Sequence, residues 1–302
     1  MKLSYSHIGL AKICDWFGIT RQAYYQNIRQ RLVDSVKEDL VIQEVLKIRK
    51  VHKRIGGRKL YLKLQPFLLD HQFKMGRDRF FSLLFSHDLL IKRRRRKPYT
   101  TNSSHWLRKY PNLIQGIKLT EPNQLWVSDI TYWKVGGEFL YISLITDAFS
   151  RMIVGYQLAN SLEAVESIEA LKMALRKLGK TVINLIHHSD RGVQYCSYGY
   201  TNILHGKGIK ISMTESGDPL DNAIAERMNG ILKYEYLFEE KVDSINQAKE
   251  VLEKSVNLYN TDRPHMSIGN MTPENVHNLQ MNRELKREWK NYYKKHLEQC
   301  MI

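Results

Sequence analysis

Three acidic residues sit where a metal site could use them. Asp129 lies in Trp126-Val127-Ser128-Asp129-Ile130-Thr131, a run whose apolar and β-branched residues read as a strand. A carboxylate inside such a strand is unfavourable unless it is paired or bound to a cation. Asp190 ends an apolar strand in His187-His188-Ser189-Asp190-Arg191-Gly192, and strand ends in sheets flanked by helices are where ligands gather. Glu226 falls on a helix read as Ala223–Tyr236, after the turn Gly217-Asp218-Pro219-Leu220-Asp221-Asn222. Singly, each of these acids is an ordinary structural residue. Jointly, two strands and a helix can bring three carboxylates to one point at the edge of a sheet. Hard oxygen ligands suit Mg²⁺, with Mn²⁺ as the alternative. Two such ions roughly 3.5–4 Å apart make a nucleophile and stabilise a leaving oxyanion in phosphodiester cleavage. Asp147, at the end of another strand and before a turn, is a further acid of the right type and reads as structural.

Those acids need a sheet to hold them. Leu125–Trp133, Glu138–Thr146 and Arg151–Gln157 are β-rich runs separated by short turns, one containing Gly136-Gly137. The amphipathic segment Ser161–Leu178 follows, with Ser161 as N-cap and Gly179 at its end. Next come an apolar strand over Val182–His187, a short helix near Tyr198–His205, a strand over Ile209–Thr214 and a helix from about Asp221 to Tyr236. The order β-β-β-α-β-α-β-α predicts an α/β fold, a mixed sheet with helices on its faces. Beyond residue 244, helical segments and the loop Asn260–Pro264 complete it, and the tail from Met281 reads as a Lys/Glu-rich helix.

The first third differs in character. Residues 1–112 hold 25 Lys/Arg against 8 Asp/Glu, a net of +17, whereas the rest holds 22 against 23, a net of −1. So one-sided an excess points to a polyanionic partner, because neutralising phosphates releases condensed counterions. Solubility alone does not require it, and no strongly apolar face accompanies the basic run as membrane binding would ask. Ile8, Leu10, Ala11, Ile13 and Phe17 form a helical stripe, Gly18 breaks it, and Thr20 caps a second helix through Tyr24 and Tyr25. Residues 8–31 read equally as a helix-turn-helix, with Arg21 and Gln22 facing DNA, and as a plain helical hairpin. A second pair, Lys53–Gln65 and Arg77–Leu90, carries Phe80, Phe81, Leu84 and Phe85 on a core face, with Arg77 and Arg79 at the start of its second helix. Then come Lys92-Arg93-Arg94-Arg95-Arg96-Lys97, six consecutive cations that read as a phosphate or minor-groove contact rather than a solvated linker. The expected organisation is a helix-turn-helix-like segment over 1–35, a second basic helical segment and linker over 36–113, a catalytic core over 114–280 and a helical tail over 281–302.

The motifs Trp126-x-x-Asp129-Ile130-Thr131, His188-Ser189-Asp190-Arg191-Gly192-x-Gln194-Tyr195 and Ser216-Gly217-Asp218-Pro219-x-Asp221-Asn222-Ala223-x-x-Glu226 stand in order, with 35 residues between Asp190 and Glu226. Leu232-Lys233-x-Glu235, Tyr259-Asn260-x-x-Arg263-Pro264-His265 and Thr272-Pro273 follow. Over about residues 120–275 the chain resembles the insertion-sequence transposases of the retroviral-integrase superfamily, specifically the product of their second reading frame; the first 110 residues resemble the family's helical DNA-binding segment less sharply. The resemblance implies an RNase H-like catalytic core behind an all-helical DNA-binding region. It implies that Asp129 and Asp190 are metal ligands, one of them bridging, and that Glu226 completes the second of two Mg²⁺ sites. Lys233, seven residues after Glu226, would contact the element's end; Asn222, four before it, would shape the pocket or cap the helix. The implied reaction is hydrolysis at an element end, then in-line attack of the freed 3′-hydroxyl on a second strand, with no covalent enzyme intermediate. The implied partners are double-stranded DNA (terminal inverted repeats and target), further copies of the chain, and a first-reading-frame protein.

His187 and His188 are adjacent, so only one faces the site, and His188 is the candidate for a supporting role. Arg263 and His265 read equally as loop braces and as DNA contacts, while Trp126 and Trp133 read as core. Cys14, Cys196 and Cys300 form no metal or disulfide pattern. With no signal-like or 18-residue apolar run, the expectation is a prokaryotic cytoplasmic protein associated with the nucleoid, without a membrane partner. The rival readings are a DNA-binding protein without catalysis, disfavoured by the retained triad, and an RNase H-fold nuclease that cuts without joining, disfavoured by the basic helical segments.

Overall fold

The computed structural model describes residues 8–91, 105–179, 184–215 and 222–278. The chain divides into two compact units, Met1–Lys92 and Arg93–Ile302. In the first, α1 (Leu10–Trp16) stops at Gly18, whose φ of +64° suits a residue without a β-carbon. Thr20 then caps α2 (Arg21–Val51), its hydroxyl accepting from the Ala23 amide at 3.0 Å. This helix runs far past the end expected near residue 31, and through the boundary expected at 35, because neither Gly nor Pro occurs between 21 and 51. The next helices are α3 (Gly57–Asp70) and α4 (Arg77–Ser86). α3 continues through Pro66, beyond the expected stop at Gln65, because Leu60, Leu64 and Leu68 keep one apolar face over the whole length. These leucines meet Val41, Val45, Ile55, Phe80 and Leu84 in the unit's core.

The second unit holds a five-stranded sheet in the order β3-β2-β1-β4-β5. β1 (Leu125–Val135), β2 (Glu138–Asp147) and β3 (Ile153–Ala159) form an antiparallel meander. β4 (Ile186–Ser189) and β5 (Lys210–Met213) add parallel to β1. One face is covered by α5 (Ala164–Leu178), the short α6 (Val193–Cys196) and α7 (Tyr198–Gly206), packed on Trp126, Ile145, Val154 and Ile211. The other receives α8 (Ala223–Ile231), a π-helical stretch (Leu232–Leu237) and α9 (Ile245–Thr261), packed on Trp133, Leu140, Ile142 and Leu144. A 3₁₀ turn (Met266–Ile268) and α10 (Pro273–Asn278) follow. This is the mixed sheet read from the sequence. α6 and the π stretch are additions, and the cap of α5 is a correction. That helix begins at Ala164 after Glu163, with no side-chain cap, while Ser161 bonds the Glu163 amide one turn earlier at a long 3.5 Å. The expected strand start at Val182, the helix start at Asp221 and the tail from Met281 lie outside the described residues.

Candidate active site

The register of two parallel strands brings the first two acids together. β1 pairs with β4 as far as Ser128 opposite Ser189, so Asp129 and Asp190 are the next residues on neighbouring strands. β-Strand alternation puts Asp129 on the face of Leu125 and Val127, which carries Ala225 of α8. Asp129 Oδ1 accepts from the Ile130 amide at 2.9 Å, and Oδ2 accepts from Asn229 Nδ2 of α8 at 2.8 Å. Burial, and secondly the charge of Asp190, raise its pKa to about 7 against the pull of these two donors; Glu226 adds a smaller push. Asp190 Oδ1 accepts from the Gly192 amide at 3.0 Å, and a β-carbon on Gly192 would crowd that same oxygen at 3.0 Å.

Glu226 occupies the first turn of α8, exposed, three residues before Asn229 and so on the helix face that Asn229 turns toward Asp129. Asn222 stands at the N-cap position, but its side chain caps nothing. It is buried, and its Nδ2 donates to the Ser128 carbonyl at 3.1 Å, tying the start of α8 to β1 beside Asp129. The Oδ1 atoms of Asn222 and Asn229 are buried without a hydrogen-bond partner among the described residues. Among those residues no group of three His, Cys, Asp or Glu side chains closes to metal-holding distance. The donor set is nonetheless of the hard kind that suits a divalent cation: two adjacent carboxylates, and a third whose charge also reaches Asp129.

The two histidines diverge as alternation requires. His187 points toward α7, its Nε2 2.7 Å from Ser128 Oγ and 2.9 Å from the Tyr200 hydroxyl, and burial drives its pKa down to about 3, so it is neutral. His188 is fully buried on the Asp190 face, with Nδ1 2.8 Å from Ser212 Oγ of β5. Lys233 sits in the π stretch with Nζ 3.4 Å from the centroid of the Tyr132 ring, a cation–π contact, and partial burial lowers its pKa.

Models of the integrase core domain match residues 120–219 and 207–273. A 31 kDa protein of insertion element IS600 from Shigella sonnei is 35% identical, over 86% of this chain and 96% of its own length. The chain belongs to the insertion-sequence transposases. The transposase of element IS629, also from Shigella sonnei, is 28% identical over 88% of this chain and 90% of its own. A solved catalytic core of HTLV-2 integrase in complex with magnesium covers 52% of this chain and 97% of its own, at 22% identity and a TM-score of 0.42. Members of this transposase family cut and join DNA, so the chain is an enzyme of transposition.

Several expected contacts of this transposase find other employment. Arg79 is bound to Glu38 at 3.1 Å and Asp34 at 3.5 Å on α2, and Arg77 to Asp78 at 2.9 Å, whereas Arg21 and Gln22 are exposed at the start of α2. Arg93, Arg94, Arg95 and Arg96 lie outside the described residues. Arg263 is a brace: it is 1% exposed and holds Glu235 in two bonds of 2.7 Å each. Asp147 is structural, accepting from the Asn123 amide and from both the amide and hydroxyl of Ser150, each at 2.7 Å. Trp126 and Trp133 are core. Among the described residues no helix is long and apolar enough to cross a membrane. Sequence reading missed Asn229 and Tyr132. The three-residue distance from Glu226 puts Asn229 on the same helix face without showing which way that face points, and Tyr132 carried no signal, because its partner arrives from a distant helix.

Proposed function

We propose that Asp129, Asp190 and Glu226 are the catalytic triad of this transposase and hold two Mg²⁺ ions, with Mn²⁺ able to substitute. The observation that carries the reading is the juxtaposition of Asp129 and Asp190 at the ends of adjacent parallel strands, with Asn229 fastening the helix of Glu226 over them. Bound there, the cations supply charge neutralisation at the scissile phosphate and lower the pKa of an attacking hydroxyl. Asp129 and Asp190 hold the metal from the sheet edge, and Glu226 closes the site from α8. His188 supports β5 and Asp190 from beneath, Asn222 keeps α8 seated on β1, and Lys233 meets the backbone of the element's end. The exposed Arg21 and Gln22 with the run Arg93–Arg96 hold the duplex, and Arg77 and Arg79 join them only by leaving their present acidic partners. The basic helical region before residue 114 holds DNA, and the core over 114–280 carries the chemistry. The chain acts as a multimer on inverted repeats and target DNA in the prokaryotic nucleoid, with a first-reading-frame protein assisting end recognition.

The test uses labelled DNA carrying the two ends of the element that encodes the chain, mixed with the protein and Mg²⁺. Wild type should give nicked and joined products, and Asp190→Asn, which keeps shape but removes a ligand charge, should lose both by at least roughly 10³-fold. Nicks that never mature into joined strands would identify a nuclease. Tight binding with no products from wild type, even with the first-frame protein added, would identify a DNA-binding protein without catalysis.

A further inference from the structure

Residues 105–114 form a strap that the expected site did not include. The strap lies along the outer edge of β5: the Met213 amide donates to the Pro111 carbonyl at 3.3 Å, and the Leu113 amide donates to Ser212 Oγ at 2.8 Å. Leu107 and Tyr110 pack against the sheet's core, and the Tyr110 hydroxyl lies 3.1 Å from His205 Nε2. At the other end His105 Nε2 donates to the carbonyl of Arg191 at 2.7 Å, so the strap is fastened to the residue following Asp190. Between these two anchored neighbours stands Trp106. It is 83% exposed, the most exposed large apolar side chain among the described residues.

The strap that carries Trp106 is cationic. Residues 105–114 contain Arg108 and Lys109 and no acid. Arg108 lies over the Tyr110 ring at 5.1 Å, and Lys109 is exposed. Lys109 follows Arg108 on the strap, and Arg191, whose carbonyl anchors His105, follows Asp190 directly. The Nε of Arg191 is buried without a hydrogen-bond partner among the described residues. A solvent-exposed indole on a fastened, cationic strap offers what an unpaired base requires: a flat π-face to stack on and positive charge for the flanking phosphates.

We propose that Trp106 stacks on an unpaired base at the DNA strand end cut beside Asp190, with Lys109 and Arg191 on the adjoining phosphates. The role rests on the reading of Asp190 as part of the cutting site. Melting the terminal pairs lets the scissile strand reach a recessed carboxylate pair, and stacking offsets the lost pairing. The experiment uses the full chain and element-end duplexes with 5-iodouracil at the nucleotides flanking the cut, irradiated in the near ultraviolet in Ca²⁺. The adduct should map to Trp106, and this readout does not depend on cutting. In Mg²⁺, Trp106→Ala should process a fully paired end roughly 10-fold more slowly, recover to within about 3-fold of wild type on an end already mismatched there, and be rescued by Trp106→Phe. An adduct elsewhere, equal losses on paired and mismatched ends, or a lower melting temperature of DNA-free Trp106→Ala would overturn the proposal; the last would show the indole packing on its own chain. If wild type cuts neither end yet the adduct forms on Trp106, the stacking site stands and the triad reading fails.

Discussion

With its pKa raised to about 7, Asp129 keeps a proton in the folded chain over a range where the unfolded chain releases it. Between about pH 4 and 7 the folded state therefore binds more protons than the unfolded one, and stability falls as pH rises through that window. Asp129→Asn removes this dependence. In EDTA the variant should melt several degrees above wild type at pH 8 and together with it at pH 4; parallel melting profiles across the range would show that burial does not act on this carboxylate. Mg²⁺ should invert the order at pH 8, stabilising wild type and not the variant, because the ligand must be deprotonated to bind. Asn229 acts through Asp129. Replacing it by Leu removes the 2.8 Å donor and should lower cutting about 10- to 100-fold while leaving end binding intact. Equal losses in cutting and binding would place Asn229 in DNA contact instead. Asp129 and Asp190 were legible as candidates because a charge within or at the end of an apolar strand demands a reason. Asn229 was not, since an Asn on a helix face is ordinarily solvated, and only the tertiary fold shows which way it points.

The strands and helices of the core were legible because each carries its own period, and the register that makes Asp129 and Asp190 neighbours follows from β1 and β4 being parallel. What escaped is what tertiary packing alone decides. The π stretch buries Leu232, Tyr236 and Leu237 against the core, so nothing in the apolar pattern separates it from the preceding α-helix. It carries Lys233 onto the Tyr132 ring. Tyr132→Leu should lose end processing as Lys233→Ala does, and Tyr132→Phe, which keeps the ring face, should retain it; a Phe variant as weak as Leu would move the role from ring to hydroxyl. On the other face α5 rests directly on β3, where a β-carbon at Gly155 would collide with the Ala170 carbonyl and approach Ala174 Cβ. Gly155→Ala should destabilise the core by about 1–3 kcal/mol in denaturant unfolding, as overpacking does. An unchanged midpoint would show that α5 slides without penalty.

For the whole molecule, the distribution of charge predicts a basic region that holds DNA and a core that is nearly neutral. Residues 1–112 carry +17 against −1 for the rest. The extent of the first unit was harder to read. α2 has no breaker to mark an end, and its first half leaves Tyr25, Ile28, Leu32 and Val36 exposed, so no buried stripe delimits it either. Arg79 shows that a cation in that region need not face DNA, since two acids of α2 already hold it. The run Arg93–Arg96 has no acid among its sequence neighbours from Lys92 to Lys109, and its proposed partners are phosphates. Each phosphate neutralised contributes about 0.9 to the slope of log affinity against log salt. Changing all four arginines to Gln should therefore flatten that slope by up to about 4, most visibly as lost binding near physiological salt. Cutting should return at low salt, because the change touches no carboxylate, and the melting temperature should not move. A slope that stays put while affinity falls uniformly at every salt concentration would show the run shaping the protein rather than meeting the backbone of DNA.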